Sequence, residues 1–321
     1  MKHNAFCILP FIVAPYLLNL SHLSHLEENA TASSSVCHFD GQDGNKPEEL
    51  KDVQYTSQDS ATIVGILQRE PHERDNENRV VWLGKQFVGT PYVGGTLESG
   101  DKEHLIVNTR AMDCTTFVET VSALFMCCEQ NQRTFPAFCR NLQKIRYKSG
   151  WIADYTSRLH YFTQWGLDNE KKGIVTSVLD SVDDIVLSCQ RIHTDYMSKH
   201  PALYKHLRQH PEFISTIRRQ ERELEGYTFK YLPKKSLGLS PDRLPYVHTG
   251  DIVAIITSRQ GLDTSHVGFA VWKSGQLHLM HASSLKKKVT LDSQTFYNYS
   301  QGQRTQQGIR LFRLMEQPHE K

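Results

Sequence analysis

Cysteine is scarce in this 321-residue chain, seven in all, which excludes a small disulfide-stapled scaffold. No Cys-x-x-Cys occurs, and the adjacent Cys127 and Cys128 are poor geometry for a zinc site. Neither sign of charge dominates: 37 Lys and Arg stand against 35 Asp and Glu, a net of +2. A dedicated nucleic-acid binder would show a basic excess, so that class is excluded. With 19 Gly and 12 Pro, collagen-like and low-complexity readings fall away. Neither a Gly-x-Gly-x-x-Gly nor a P-loop motif is present, so a nucleotide fold has no local support, and no internal repeat is found. What remains is an ordinary globular composition, 39% hydrophobic and 10% aromatic, enough for a true core.

Long hydrophobic runs are also missing, with one exception. Ala5 to Leu20 is apolar, but Pro10 and Pro15 interrupt it, and it falls short of the ~20 residues a membrane span needs. Lys2 and His3 precede it, and Ala30-Thr31-Ala32 has the small-x-small pattern of a signal-peptidase site. The expectation is a signal peptide over residues 1–32, a polar linker over 33–55, one folded domain over 56–321, and a periplasmic or secreted product with no membrane span in the mature chain. Removal of the signal takes Cys7 with it and leaves six cysteines, of which Cys127, Cys128 and Cys139 read as small buried hydrophobes.

Apolar spacing predicts helices over Ser60–Gln68, Val80–Phe87, residues 116–128 and Phe138–Tyr147. Residues 176–226 read as helices broken at His200-Pro201 and His210-Pro211, within a helical insertion over about 165–245. Strands are expected at Asp251–Thr257, Ser265–Trp272, Gln276–Ala282 and Ile309–Met315. Helices followed by sequential strands joined by short turns predict an α+β fold with an antiparallel sheet.

Cys114 stands at the start of the strongest helix. Thr116 with Glu119 fits a capping box, and Asp113 is the alternative cap; either puts Cys114 at or just before the first turn. Unpaired amides there favour a thiolate, the form that attacks an amide carbonyl, and the same amides can bind the oxyanion that follows.

Such a nucleophile needs a base, and the base an orienting partner. In Ser265–Trp272, His266, Gly268, Ala270 and Trp272 share one face, and Val267, Phe269 and Val271 the other. With Ser274-Gly275 as a two-residue turn, Trp272 opposes Leu277, Gly268 opposes His281 and His266 opposes Ser283. His266 and His281 are then diagonal neighbours on one face, and Gly268 leaves the space open. A three-residue turn would bring His278 there instead. No carboxylate or third His at useful spacing joins the pair, so neither a metal nor any other cofactor is expected.

These segments resemble a known family. Gly89-Thr90-Pro91-Tyr92-Val93-Gly94-Gly95, Asp113-Cys114-Thr115, Gly250-Asp251-Ile252-Val253 and Ser265-His266-Val267-Gly268 resemble the NlpC/P60 superfamily of papain-like cell-wall amidases and peptidases. The run Tyr92–Glu98, the stretch Asp113–Glu119, Ser157–Tyr161, Gly261–Gly268 and His281–Ser284 is more closely similar to the DUF1460 branch, described as N-acetylmuramoyl-L-alanine amidase-like. The blocks span roughly residues 60–315. The resemblance implies a papain-like fold in which the sheet packs against helices and the nucleophile sits at a helix N-terminus. It implies Cys114 as nucleophile, His266 as general base and then acid, His281 as the group orienting His266, and Tyr92 as an aid to the oxyanion. Glu98, Arg158 and His160 are candidate substrate contacts, with an internal Arg–acid pair as the other reading of Arg158. The implied substrate is a peptidoglycan fragment, a muropeptide, cut at the lactyl–L-Ala amide. The alternatives are an endopeptidase cutting between D-Glu and the diamino acid of the stem, an acyltransferase, and a catalytically dead cell-wall binding module.

Overall fold

A computed structural model describes residues 53–71 and 78–316. The expected signal peptide, Cys7, Cys37 and most of the expected linker lie outside the described residues. The last linker residues are not loop: β1 (Val53–Gln54) pairs in parallel with β2 (Leu105–Ile106).

The helices of the first half are α1 (Ser57–Arg69), α2 (Arg79–Lys85), α3 (Cys114–Glu129), α4 (Phe135–Arg146) and α5 (Phe162–Lys171). Side chains of Thr56, Asn78, Asp113 and Thr134 accept from amides of the first turn of α1 to α4, which fixes where those helices begin. Every residue of α3 from Cys114 to Cys128 is buried, so this helix runs through the centre of the molecule.

Eight strands form an antiparallel sheet: β3 (Val175–Ser177), β4 (Ser188–Arg191), β5 (Thr228–Pro233), β6 (Ile252–Thr257), β7 (Thr264–Lys273), β8 (Gln276–Ser283), β9 (Lys288–Leu291) and β10 (Gln306–Leu314). The spatial order is β4-β5-β10-β6-β7-β8-β9, and β3 pairs with β10. The four expected strands are β6, β7, β8 and β10. The insertion departs from expectation. Its helices α6 (Tyr196–Lys199), α7 (Lys205–Gln209) and α8 (Phe213–Leu224) break near Pro201 and Pro211 as predicted, but β3, β4 and β5 also belong to it and extend the sheet. β3 and β4 are short and polar, so they carry no hydrophobic period to read; their pairing is set by the neighbouring strand edge.

The β7–β8 hairpin has the predicted register. Lys273 pairs with Gln276 and Trp272 with Leu277. Ser274 and Gly275 both have positive φ, 50° and 73°, as a type I′ turn requires. One face of the sheet, with Val267, Phe269, Val271, Met280 and Ala282, is packed by α3; Phe117 meets Phe269 edge-to-face at 5.7 Å. The other face, with Ala270, Leu277, Leu279 and Ile255, is packed by Phe296 of α9 (Phe296–Gln301). No helix among the described residues is long and apolar enough to cross a membrane.

Candidate active site

Cys114 is the first residue of α3 and fully buried. Of the two caps the sequence allows, the structure selects Asp113. Its Oδ1 accepts from the Thr116 amide at 2.8 Å, while the Asp113 amide donates to Thr116 Oγ1 at 2.9 Å. Burial pushes the Asp113 carboxyl up to about 6, against the pull of the Thr116 hydrogen bonds. The cap is thus an acid close to neutral pH, one residue from the sulfur.

His266 and His281 converge. His266 Nε2 lies 2.6 Å from His281 Nδ1, with the rings nearly perpendicular, and both side chains are buried. The reason is the register: Gly268 opposes His281, and a Cβ on Gly268 would come within 2.7 Å of the Met280 carbonyl and 3.0 Å of His281 Cβ. The face left open by those small residues is covered by α9, whose Tyr299 ring stands edge-on to His281 at 5.5 Å. His278 is on the opposite face and pairs its Nδ1 with the Asp292 backbone carbonyl at 3.0 Å.

Asp292 is the neighbour of the histidine pair that the sequence did not reveal. β8 pairs with β9 so that His281 opposes Thr290, which makes Asp292 the next diagonal neighbour on the same face. Its Oδ2 lies 3.7 Å from His281 Nε2. Burial alone would push this carboxyl up, yet the nearby His281 ring and hydrogen bonds from Lys286 and the Gln294 amide hold it well below the usual carboxylate range. Lys286 Nζ reaches it at 2.8 Å.

The tautomers follow from that row. A carboxylate facing His281 Nε2 keeps the proton there and leaves Nδ1 as acceptor. His266 Nε2–H then donates to it across the 2.6 Å contact.

Tyr92 is half-buried and strapped beside the helix start: its backbone bridges Met112, two residues before Cys114, and its amide donates to the Lys287 carbonyl at 2.9 Å. Glu98 and Arg158 line a small cavity with Asp113, Thr115, Thr116 and Glu119 of the α3 start. Arg158 and His160 are both buried and make internal contacts. Arg158 donates to Glu98 at 2.7 Å, to both oxygens of Glu103 at 3.0 and 2.7 Å, and to the Leu97 carbonyl at 3.1 Å, and it lies over the Tyr155 ring. This is the internal pair with aromatic packing, and it holds the 95–103 loop. His160 Nε2 donates to the Tyr155 carbonyl at 2.8 Å; burial, and then the charge of Arg158, lower its pKa to about 3, so the ring is neutral.

Among the described residues, no group of three or more His, Cys, Asp or Glu is arranged to hold a metal ion. The described cysteines form no disulfide.

The described residues thus form an α+β protein with a cysteine at a helix start, a buried histidine pair on an antiparallel sheet and a carboxylate beside that pair. Comparison with known proteins then gives the family. Residues 82–309 match the model of the AmiA-like, N-acetylmuramoyl-L-alanine amidase-like family, and the chain belongs to it. An N-acetylmuramoyl-L-alanine amidase from Bacteroides uniformis is 37% identical, with 74% of this chain and 97% of that chain covered and a TM-score of 0.69. A Bacteroides fragilis protein provisionally described as a xylanase is 41% identical over 72% of this chain and 99% of its own, with a TM-score of 0.68. A Legionella pneumophila protein of the DUF1460 family shares the fold at 22% identity, over 82% and 96% of the two chains, with a TM-score of 0.62. No curated protein matches.

Proposed function

We propose that the chain is a papain-like cysteine amidase of the NlpC/P60 type that cleaves the lactyl–L-Ala amide of muropeptides. The observation that carries this reading is the row His266–His281–Asp292, two buried imidazoles in contact with a carboxylate beside the second. Cys114 is its partner in the proposal. α3, which Cys114 opens, packs on β7 and β8, the two strands that carry His266 and His281.

In the proposed reaction Cys114 Sγ attacks the lactyl carbonyl carbon and its proton passes to His266. The amides opening α3, aided by the Tyr92 hydroxyl, hold the oxyanion. On collapse the C–N bond breaks, His266 gives the proton to the departing L-Ala amine, and a thioester remains. Water, losing its proton to His266, then releases the acid and the thiol. Nothing in this cycle needs a metal. Glycoside hydrolysis takes two carboxylates flanking one bond. The row supplies a single carboxylate, fixed by Lys286, which favours the amidase description over the xylanase one. Export of the protein, read from residues 1–32, is part of the proposal.

Product masses from one defined muropeptide test it. The reading expects free disaccharide plus the intact stem peptide. A product in which L-Ala-D-Glu stays on the sugar would replace it with the endopeptidase reading. Transfer to an added amine, in preference to water, would make the protein an acyltransferase.

A further inference from the structure

We propose that a polar cleft between the insertion and the sheet binds a stem-peptide carboxylate carried two or three residues beyond the scissile amide. This rests on the amidase reading and adds a subsite to it. The cleft, about 240 Å³, is lined by Gln190 and Arg191 of β4, by Thr257, Arg259 and Gly261 where β6 passes to β7, and by Gln307 of β10. It is therefore built half from the insertion and half from the core sheet.

Three observations point to its ligand. First, charge: Arg191 makes no ion pair among the described residues, while the nearby acids are engaged. Asp263 accepts from the Thr163 amide, and Asp195 pairs with His193 and Lys199. A carboxylate is the group a guanidinium takes in two parallel hydrogen bonds. The guanidinium is also placed: it lies over Gly226, where a Cβ would come within 2.8 Å of Nη2. Second, Gln190 Oε1 is buried without a hydrogen-bond partner, an acceptor suited to a peptide N–H beside that carboxylate. Third, reach: Asp263, on the cleft wall, precedes His266 by three residues, about 10 Å at the rise of a strand. An extended stem covers that span in about three residues.

The test pairs kinetics with binding. Wild type and Arg191→Ala are compared on N-acetylmuramoyl-L-Ala and on the same sugar carrying a tripeptide stem, and each protein is titrated calorimetrically with the free tripeptide. The expected result is a KM about tenfold higher for Arg191→Ala on the tripeptide substrate, with kcat and the short substrate unchanged, as loss of a charged hydrogen bond predicts. Arg191→Lys should recover part of the difference. Equal KM values on the tripeptide substrate, or an equal rise on both substrates, would overturn the subsite. If wild type turns over neither substrate, the amidase reading fails by itself. The calorimetry then decides for the cleft: about tenfold weaker tripeptide binding by Arg191→Ala supports it, and identical binding overturns it.

Discussion

Asp292 is placed to decide which nitrogen of each histidine carries a proton. Asp292→Asn keeps the shape and removes the charge, so His281 loses its reason to hold the proton on Nε2. The expected outcome is a fall in kcat of about tenfold to a hundredfold with little change in KM, as for other orienting partners of functional histidines; it is read from steady-state kinetics on a muropeptide. Lys286→Met, which leaves the carboxylate in place, should cost less. His160 and Asp113 make opposite predictions about acid. The His160 pKa falls from 6.5 to about 3 on folding, so the unfolded chain binds the proton more readily, and its contribution is lost as pH drops below about 6.5. The Asp113 carboxyl rises from 3.8 to about 6, so its contribution is complete at low pH and is lost as pH climbs through 6. Urea midpoints should show His160→Gln less sensitive to acid than wild type. Asp113→Asn should be more sensitive between pH 4 and 6. The opposite order would mean that the burial of these two groups has been misjudged.

The hairpin is the element on which the site depends. Gly268→Ala puts a methyl group against the Met280 carbonyl and His281 Cβ, so β7 and β8 must part or His281 must shift. The variant should lose stability by about 1–3 kcal/mol, as overpacked sites do, and lose more activity than stability alone explains; thermal melts and kcat on the same preparation separate the two. This element was legible in the sequence because alternation and a two-residue Ser274-Gly275 turn leave only one register. The start of α3 was legible to within the choice between two caps. Asp292 was not, because Leu285 to Lys288 reads as a charged loop and hides the β8–β9 return that brings the acid beside His281. β3 and β4 stayed hidden for a related reason: short polar strands leave no pattern.

At the scale of the whole molecule, charged side chains tie the 95–103 loop to Arg158 and to the insertion. Arg158 joins Glu98 to Glu103, and Lys205 of the insertion donates to the Glu98 and Gly100 carbonyls at 3.1 and 2.8 Å. Arg158→Met would leave Glu103 buried without its cation, and should destabilise by about 3–5 kcal/mol in urea unfolding. The sequence pointed to these residues without showing whether they faced substrate or one another; only three-dimensional placement shows that they face inward. The family match places the chain among amidase-like proteins, and the proposal assigns the base to the histidine row. The central claim is that a sulfur does the cutting. The rate at which Cys114→Ala releases stem peptide from a purified muropeptide, beside wild type and with the fold verified by circular dichroism, tests it most directly. The account predicts no release above the enzyme-free blank, and release at the wild-type rate would contradict it.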